Sequence, residues 1–150
     1  MVNVQATKRQ RMLGLPRFRQ CAAMPFQDGT AGRRFLLITS LDTKRWIIPK
    51  GNIEPGLSAR ESAELEAFEE AGVTGKLHHA SVGSYAYRKE VGDEELLHHV
   101  KVFPLEVSQE LKDYPHSQKR KRMWVAGDKA ADLVDEMDLK KMILKFSTYS

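Results

Sequence analysis

The sequence predicts a single α+β domain built on a mixed sheet, and three observations carry that prediction. Strand-like segments come first, a capped helix follows, and further strands precede a final helical stretch; a doubly wound parallel sheet would alternate strand and helix throughout. Several of the strand candidates alternate apolar and polar residues with period two, as half-buried strands do. With 150 residues and 41% hydrophobic content, the chain has material for one sizeable core.

Taken in order, the first 27 residues contain no acid and carry Lys8, Arg9, Arg11, Arg17 and Arg19. Residues 1–19 are read as a basic, flexible tail and 20–150 as the domain. No amphipathic stripe accompanies these charges as in a transit peptide, and no run of about 7 to 15 apolar residues follows as in a secretory signal. QCAAMPF (20–26), RRFLLITS (33–40) and RWIIP (45–49) are expected strands, with TAG and LDTK as turns.

A helix is expected to start at Ser58, where Glu61 three residues on completes a capping box, and to stop at Gly72. SYAYRKE (84–90) and HHVKVFPLEV (98–107) alternate as strands, VGDEE reads as their hairpin connection, and Pro104 predicts a sheet edge or a bulge. The last helical stretch runs from about Asp128 to Phe146 with a break near Met137. No segment approaches the roughly 18 to 20 apolar residues of a membrane span. Cys21 is the only cysteine, which excludes an intramolecular disulfide and a cysteine-built zinc site and points to a reducing, cytoplasmic setting.

The chemistry concentrates in ELEAFEEAGV (64–73). On a helix, Glu69 and Glu70 lie about 60° and 40° to either side of Glu66. Ala63, Ala67 and Ala71 form a separate stripe, suited to close packing on a sheet. Between Glu61 and Glu70 there are five glutamates and no Lys or Arg. A solvated acidic face would tolerate that repulsion, since each like-charge pair costs only about 0.2 to 0.5 kcal/mol. A divalent cation would convert it into attraction, because Mg2+ and Mn2+ favour carboxylate oxygens.

The upstream context, WIIPKGNIEPG (46–56), is a strand end and a glycine- and proline-containing loop leading into the capped helix. Together the two segments resemble the Nudix hydrolase signature G-x5-E-x7-R-E-U-x-E-E-x-G-U, in which U is apolar. Gly51, Glu66, Glu69, Glu70, Gly72 and Val73 fall in register, and Ala67 takes the first apolar place. Leu57 and Leu65 stand where the signature has its first Glu and its Arg. Two packed leucines replacing a bracing ion pair is the expectation there.

The resemblance spans about residues 20–146 and implies a mixed sheet sandwiched by helices, an α/β/α arrangement. It implies metal-dependent hydrolysis of a pyrophosphate linkage, with Mg2+ or Mn2+ held by Glu66, Glu70, Glu69 and the Gly51 carbonyl. Glu69 or Glu66 would be the catalytic carboxylate. The PKG triplet and the stretch from 114 to 134 are similar to the diphosphoinositol polyphosphate and diadenosine polyphosphate hydrolase branch. That similarity makes Lys50 a substrate-binding candidate, with His116 standing where relatives often carry an acid. Lys119, Arg120, Lys121 and Arg122 are consecutive cations that would alternate faces on a strand, so one pair lines the site. Arg120 and Arg122 are the candidates, because Arg offers a fork for phosphate oxygens.

The expected partner is a polyphosphorylated small molecule rather than a membrane. A binding module without turnover is the alternative that the two leucines and His116 suggest. RNA-cap chemistry is the one that the basic tail and the 119–122 cluster suggest. The adjacent pairs His78–His79 and His98–His99 point to opposite faces of a strand and are not read as a metal site. Trp46 and Trp124 are expected to pack rather than to stack on a base.

Overall fold

The computed structural model describes residues 18–148. Residues 1–17, most of the expected basic tail, lie outside the described residues, and Phe18 and Arg19 already belong to the first strand. Strands β1 (Phe18–Gly29) and β2 (Gly32–Thr39) form a hairpin. The segment expected as one strand over 45–49 divides into β3 (Trp46–Ile47) and β4 (Lys50–Asn52). Pro49 separates them, because it has no N–H to continue a ladder. As a result β3 pairs with β2 and β4 with β1.

Helix α1 (Ala59–Glu66) begins with the predicted capping box: the Glu61 amide donates to Ser58 Oγ at 3.1 Å, and the Ser58 amide donates to Glu61 Oε1 at 2.9 Å. It widens into a π-helical turn over Ala67–Ala71 and stops at Gly72, whose φ of 65° is left-handed. Strand β5 (Val73–Leu77) follows at once. Then come β6 (Gly83–Val91), β7 (Glu94–Glu110) and β8 (Arg122–Ala126). The last helical stretch is two helices, α2 (Gly127–Leu133) and α3 (Met137–Ser147), parted by an extended Val134.

All eight strands belong to one mixed sheet with the spine β3-β2-β1-β7-β5; β4 pairs β1, β6 pairs β7 and β8 pairs β2. The central β1–β7 pair is parallel and the others are antiparallel. Pro104 corrects the edge expectation, because it is buried in the middle of β7. It falls where β7 changes neighbour, from β6 ending at Val102 to β5 beginning at Leu105. A missing N–H costs least in such a gap.

The alanine stripe seats α1 on one face: Ala63, Ala67 and Ala71 are wholly buried against Cys21, Ala23, Leu36, Ile38 and Leu105. Helices α2 and α3 cover the other face through Ala130, Leu139, Ile143 and Phe146, which meet Phe26 and Phe35. The result is a single α/β/α domain, as the sequence predicts. Among the described residues no helix is long and apolar enough to cross a membrane.

Candidate active site

The end of α1, its π-helical turn and strand β4 meet at the acidic cluster. Glu66 lies against Gly51 so closely that a Cβ at Gly51 would overlap its carboxylate. A glycine there is a steric requirement of the carboxylate's position. Burial, the charges of Glu70 and Glu69, a hydrogen bond to Glu70 and the charge of Glu54 push the Glu66 carboxyl up to about 8. Beneath it, the buried Cys21 thiol donates to the Gly51 carbonyl at 3.8 Å. Burial and the charges of Glu66 and Glu54 raise that thiol to about 12, so it stays protonated.

Glu70 is held from both sides. Its Oε1 accepts from the Lys50 amide at 3.0 Å, and its Oε2 accepts from Arg120 Nη2 at 3.1 Å. Arg120 also donates to the Thr39 carbonyl at 3.0 Å and through Nε to His116 Nδ1 at 2.9 Å. That last bond needs a neutral imidazole, in keeping with burial and the Arg120 charge lowering the His116 pKa. Glu69 is half-buried beside them, and its backbone carbonyl accepts from the His116 amide at 2.9 Å.

The basic residues divide differently from the sequence reading. Arg120 reaches the glutamates but is engaged with Glu70. Arg122 does not join the cluster: it donates to the carbonyls of Ala71 and Leu111 at 2.8 and 2.7 Å, closing the C-terminal end of the helix. The Lys50 ammonium lies 4.8 Å over the Tyr87 ring, with its pKa lowered by burial and partly restored by Glu70.

Beside Arg120 opens a cavity of about 550 Å3 lined by Thr39, Trp46, Lys44, Lys119 and Lys121. Arg120 lines this cavity together with Lys119 and Lys121, whereas Arg122 does not. The segment from 117 to 121 precedes β8 and is not a strand, so strand alternation does not govern it. Trp46 both lines this cavity and packs on the core, while Trp124 packs on the opposite core.

Leu57 is 38% exposed and neither it nor Leu65 joins a core cluster among the described residues. A buried leucine brace is therefore not what fills the place of the ion pair. A cation reaches the acidic cluster instead through Arg120, from a segment 50 residues downstream of Glu70.

The donor set fits a hard divalent cation. Two neighbouring carboxylates and a peptide carbonyl offer only oxygen, and Mg2+ is commonly held by one or two carboxylates together with substrate phosphates. Among the described residues no three His, Cys, Asp or Glu side chains come together as a group that could hold a metal ion, so Glu66, Glu69 and Glu70 are not gathered into a three-carboxylate site.

A family model described as NUDIX domain matches residues 17–146. Nudix hydrolase 4 of Arabidopsis thaliana is 32% identical over 111 residues, 74% of this chain and 52% of that protein. Diphosphoinositol polyphosphate phosphohydrolase 3-beta of Bos taurus is 32% identical over 108 residues, 71% of this chain and 62% of that one. The chain thus spans between half and two thirds of these relatives' length. The crystal structure of a C. elegans Ap4A hydrolase superposes with a TM-score of 0.61 at 20% identity, covering 87% of this chain and 96% of that one, and so shares the fold. The signature in register, the α/β/α sheet and a match over almost the whole described chain establish that this protein belongs to the Nudix hydrolase family.

Proposed function

We propose that this chain hydrolyses a pyrophosphate linkage in a polyphosphorylated small molecule of the diphosphoinositol polyphosphate or diadenosine polyphosphate type. The observation that carries the proposal is the Glu66 carboxylate packed on Gly51 next to a Glu70 pinned by Lys50 and Arg120. In this reading Glu66, Glu70 and the Gly51 carbonyl hold Mg2+ or Mn2+, with Glu69 as a further ligand or the base. When bound, the ion neutralises phosphate charge and lowers the pKa of a coordinated water.

The protein's own part is orientation and proton transfer. Arg120 and the Lys50 amide fix Glu70. Glu69, or Glu66 once its proton is displaced, accepts the proton of the attacking water as its oxygen bonds to phosphorus. The bond from that phosphorus to the bridging oxygen breaks, and the bridging oxygen leaves with the other phosphate. Lys44, Lys119 and Lys121 around the neighbouring cavity supply positive charge for further phosphates. The single buried cysteine supports a cytoplasmic setting.

The test is incubation of the purified chain and Glu66→Gln with diphosphoinositol polyphosphates, diadenosine polyphosphates, ADP-ribose and capped RNA, each with Mg2+ or Mn2+. Phosphate or nucleotide release from the first two, lost in the variant, supports the proposal. Release from capped RNA alone would replace it with the RNA-linked reading. Metal-dependent binding without any product would favour a binding module, a reading consistent with the Arg120 guanidinium already paired to Glu70.

A further inference from the structure

A cavity of about 670 Å3 opens between the segment from Lys76 to Val82 and helix α3, which covers the face of the sheet opposite to α1. None of its lining residues belongs to the acidic cluster or to the cavity beside Arg120, and the hydrolysis scheme uses none of them.

Hydrogen bonds hold the walls in place. Where the chain leaves β5, the His78 amide donates to the Pro104 carbonyl at 2.8 Å. Arg60 of α1 donates to the carbonyls of Leu77 and His78 at 2.9 and 3.1 Å. Where it enters β6, Ser81 Oγ accepts from the Gly83 amide at 3.0 Å and donates to the Val102 carbonyl at 2.9 Å. Gly83 has a φ of 140°, and a Cβ there would stand 3.2 Å from Met142 Sδ, so its missing side chain lets α3 close on the start of β6. Ligand sites are usually preformed in this way.

Two properties of the lining define what it accepts. Leu77, Val82, Met142 and Phe146 give apolar surface, and the His78 ring stands edge-on to Phe26 and Phe146 at 5.5 and 5.9 Å. The charged lining residues are of one sign: Lys76 on β5 and Lys145 on α3, both exposed, with no Asp or Glu. Glu106 stands across the ladder from Lys76, and Arg33 lies over the Phe146 ring paired to Asp28, but neither lines the cavity.

We propose that this cavity is a second ligand site, which takes a small aromatic carboxylate with its ring against His78, Met142 and Phe146 and its carboxylate toward Lys76 and Lys145. A thioether and aromatic edges favour a ring over an alkyl chain. A nucleotide fits less well, because the edge of its base needs partners and the one hydroxyl in the lining, that of Ser81, is already engaged. A polyphosphate would leave the apolar surface uncovered. The site stands independently of the hydrolase reading.

The experiment titrates the full chain with naphthoate and follows the Met142 methyl resonance by NMR, assigned by its loss in Met142→Leu. A saturating shift is expected, with a Kd on the order of 1 mM or tighter for a ligand of this size. Val82→Trp, at an exposed position, fills the cavity and should weaken binding about 10-fold or more with the thermal melt unchanged. Lys76→Ala and Lys145→Ala should each weaken it about 3- to 10-fold. Naphthalenemethanol, the same ring without the charge, should bind about 10-fold more weakly and be indifferent to both lysine variants.

A resonance unmoved at about 10 mM naphthoate, or binding unaffected by Val82→Trp, overturns the site. The alcohol binding as tightly as the acid, with the lysine variants without effect, overturns the carboxylate. Decanoate or adenosine monophosphate binding there more tightly than naphthoate overturns the aromatic carboxylate as the class of ligand.

Discussion

Arg120 and Glu70 form an ion pair at 3.1 Å with side chains only 7% and 10% exposed. Removing one partner of a buried pair leaves the other charge uncompensated, at a cost of roughly 3 to 5 kcal/mol. Arg120→Ala should therefore lower unfolding free energy by about 3 kcal/mol or more, measured by urea denaturation. Arg120→Lys should recover only part of this, because one ammonium cannot serve Glu70, Thr39 and His116 together. An alanine variant as stable as the wild type would remove the assigned role.

The Glu66 carboxyl, raised to about 8 in the folded protein, ties metal-free stability to pH. Between the ordinary glutamate value and about 8, the folded state holds a proton that the unfolded chain has released. This contribution is complete below the unfolded pKa and is lost as pH rises through the folded one. Chemical denaturation in chelator should show stability falling across that window. Glu66→Gln resembles the protonated acid and should flatten the slope while abolishing turnover.

At Gly51 the space for a methyl group is already filled by the Glu66 side chain. A flexible carboxylate can swing aside, so Gly51→Ala should change stability by no more than about 1 kcal/mol. The displaced ligand should nonetheless reduce kcat/KM on the order of 100-fold. Steady-state kinetics beside a thermal melt separates the two effects.

Arg122 and Lys119 make opposite predictions. Arg122→Ala strips donors from the Ala71 and Leu111 carbonyls and should lower stability by about 2 kcal/mol with KM little altered. Lys119→Ala, at an exposed position lining the cavity, should leave the melting temperature unchanged and raise KM several-fold with a weaker salt dependence. A KM effect at Arg122 and none at Lys119 would restore the sequence-based assignment.

Which parts of this site were legible in the sequence follows from how local their causes are. The capping box, the alanine stripe and the glutamate spacing are relations within a few residues, and helix geometry fixes them. Gly72 as the stop is equally local. Strands β5 and β8 were not legible, because VTGKL is short and RMWVA follows an unbroken basic run.

The partner of Glu70 was hidden for another reason: its cation comes from 50 residues away, and no periodicity links the two. Choosing Arg120 and Arg122 for one face assumed a strand that begins only at Arg122. His98 lies across from Tyr87 in the β6–β7 pair, and its two unpartnered ring nitrogens become visible only once that pairing is known.

The parallel pairing of β1 with β7 reaches beyond the site. Cys21 lies opposite Lys101, so the middle of the sheet joins segments 80 residues apart. During synthesis the first hairpin must wait for most of the chain to emerge before its inner edge is covered. Contacts of such long range slow folding and leave strand edges open to other molecules meanwhile. A nascent chain halted before Glu94 should thus present an uncovered β1 edge, the stage at which a chaperone would matter most.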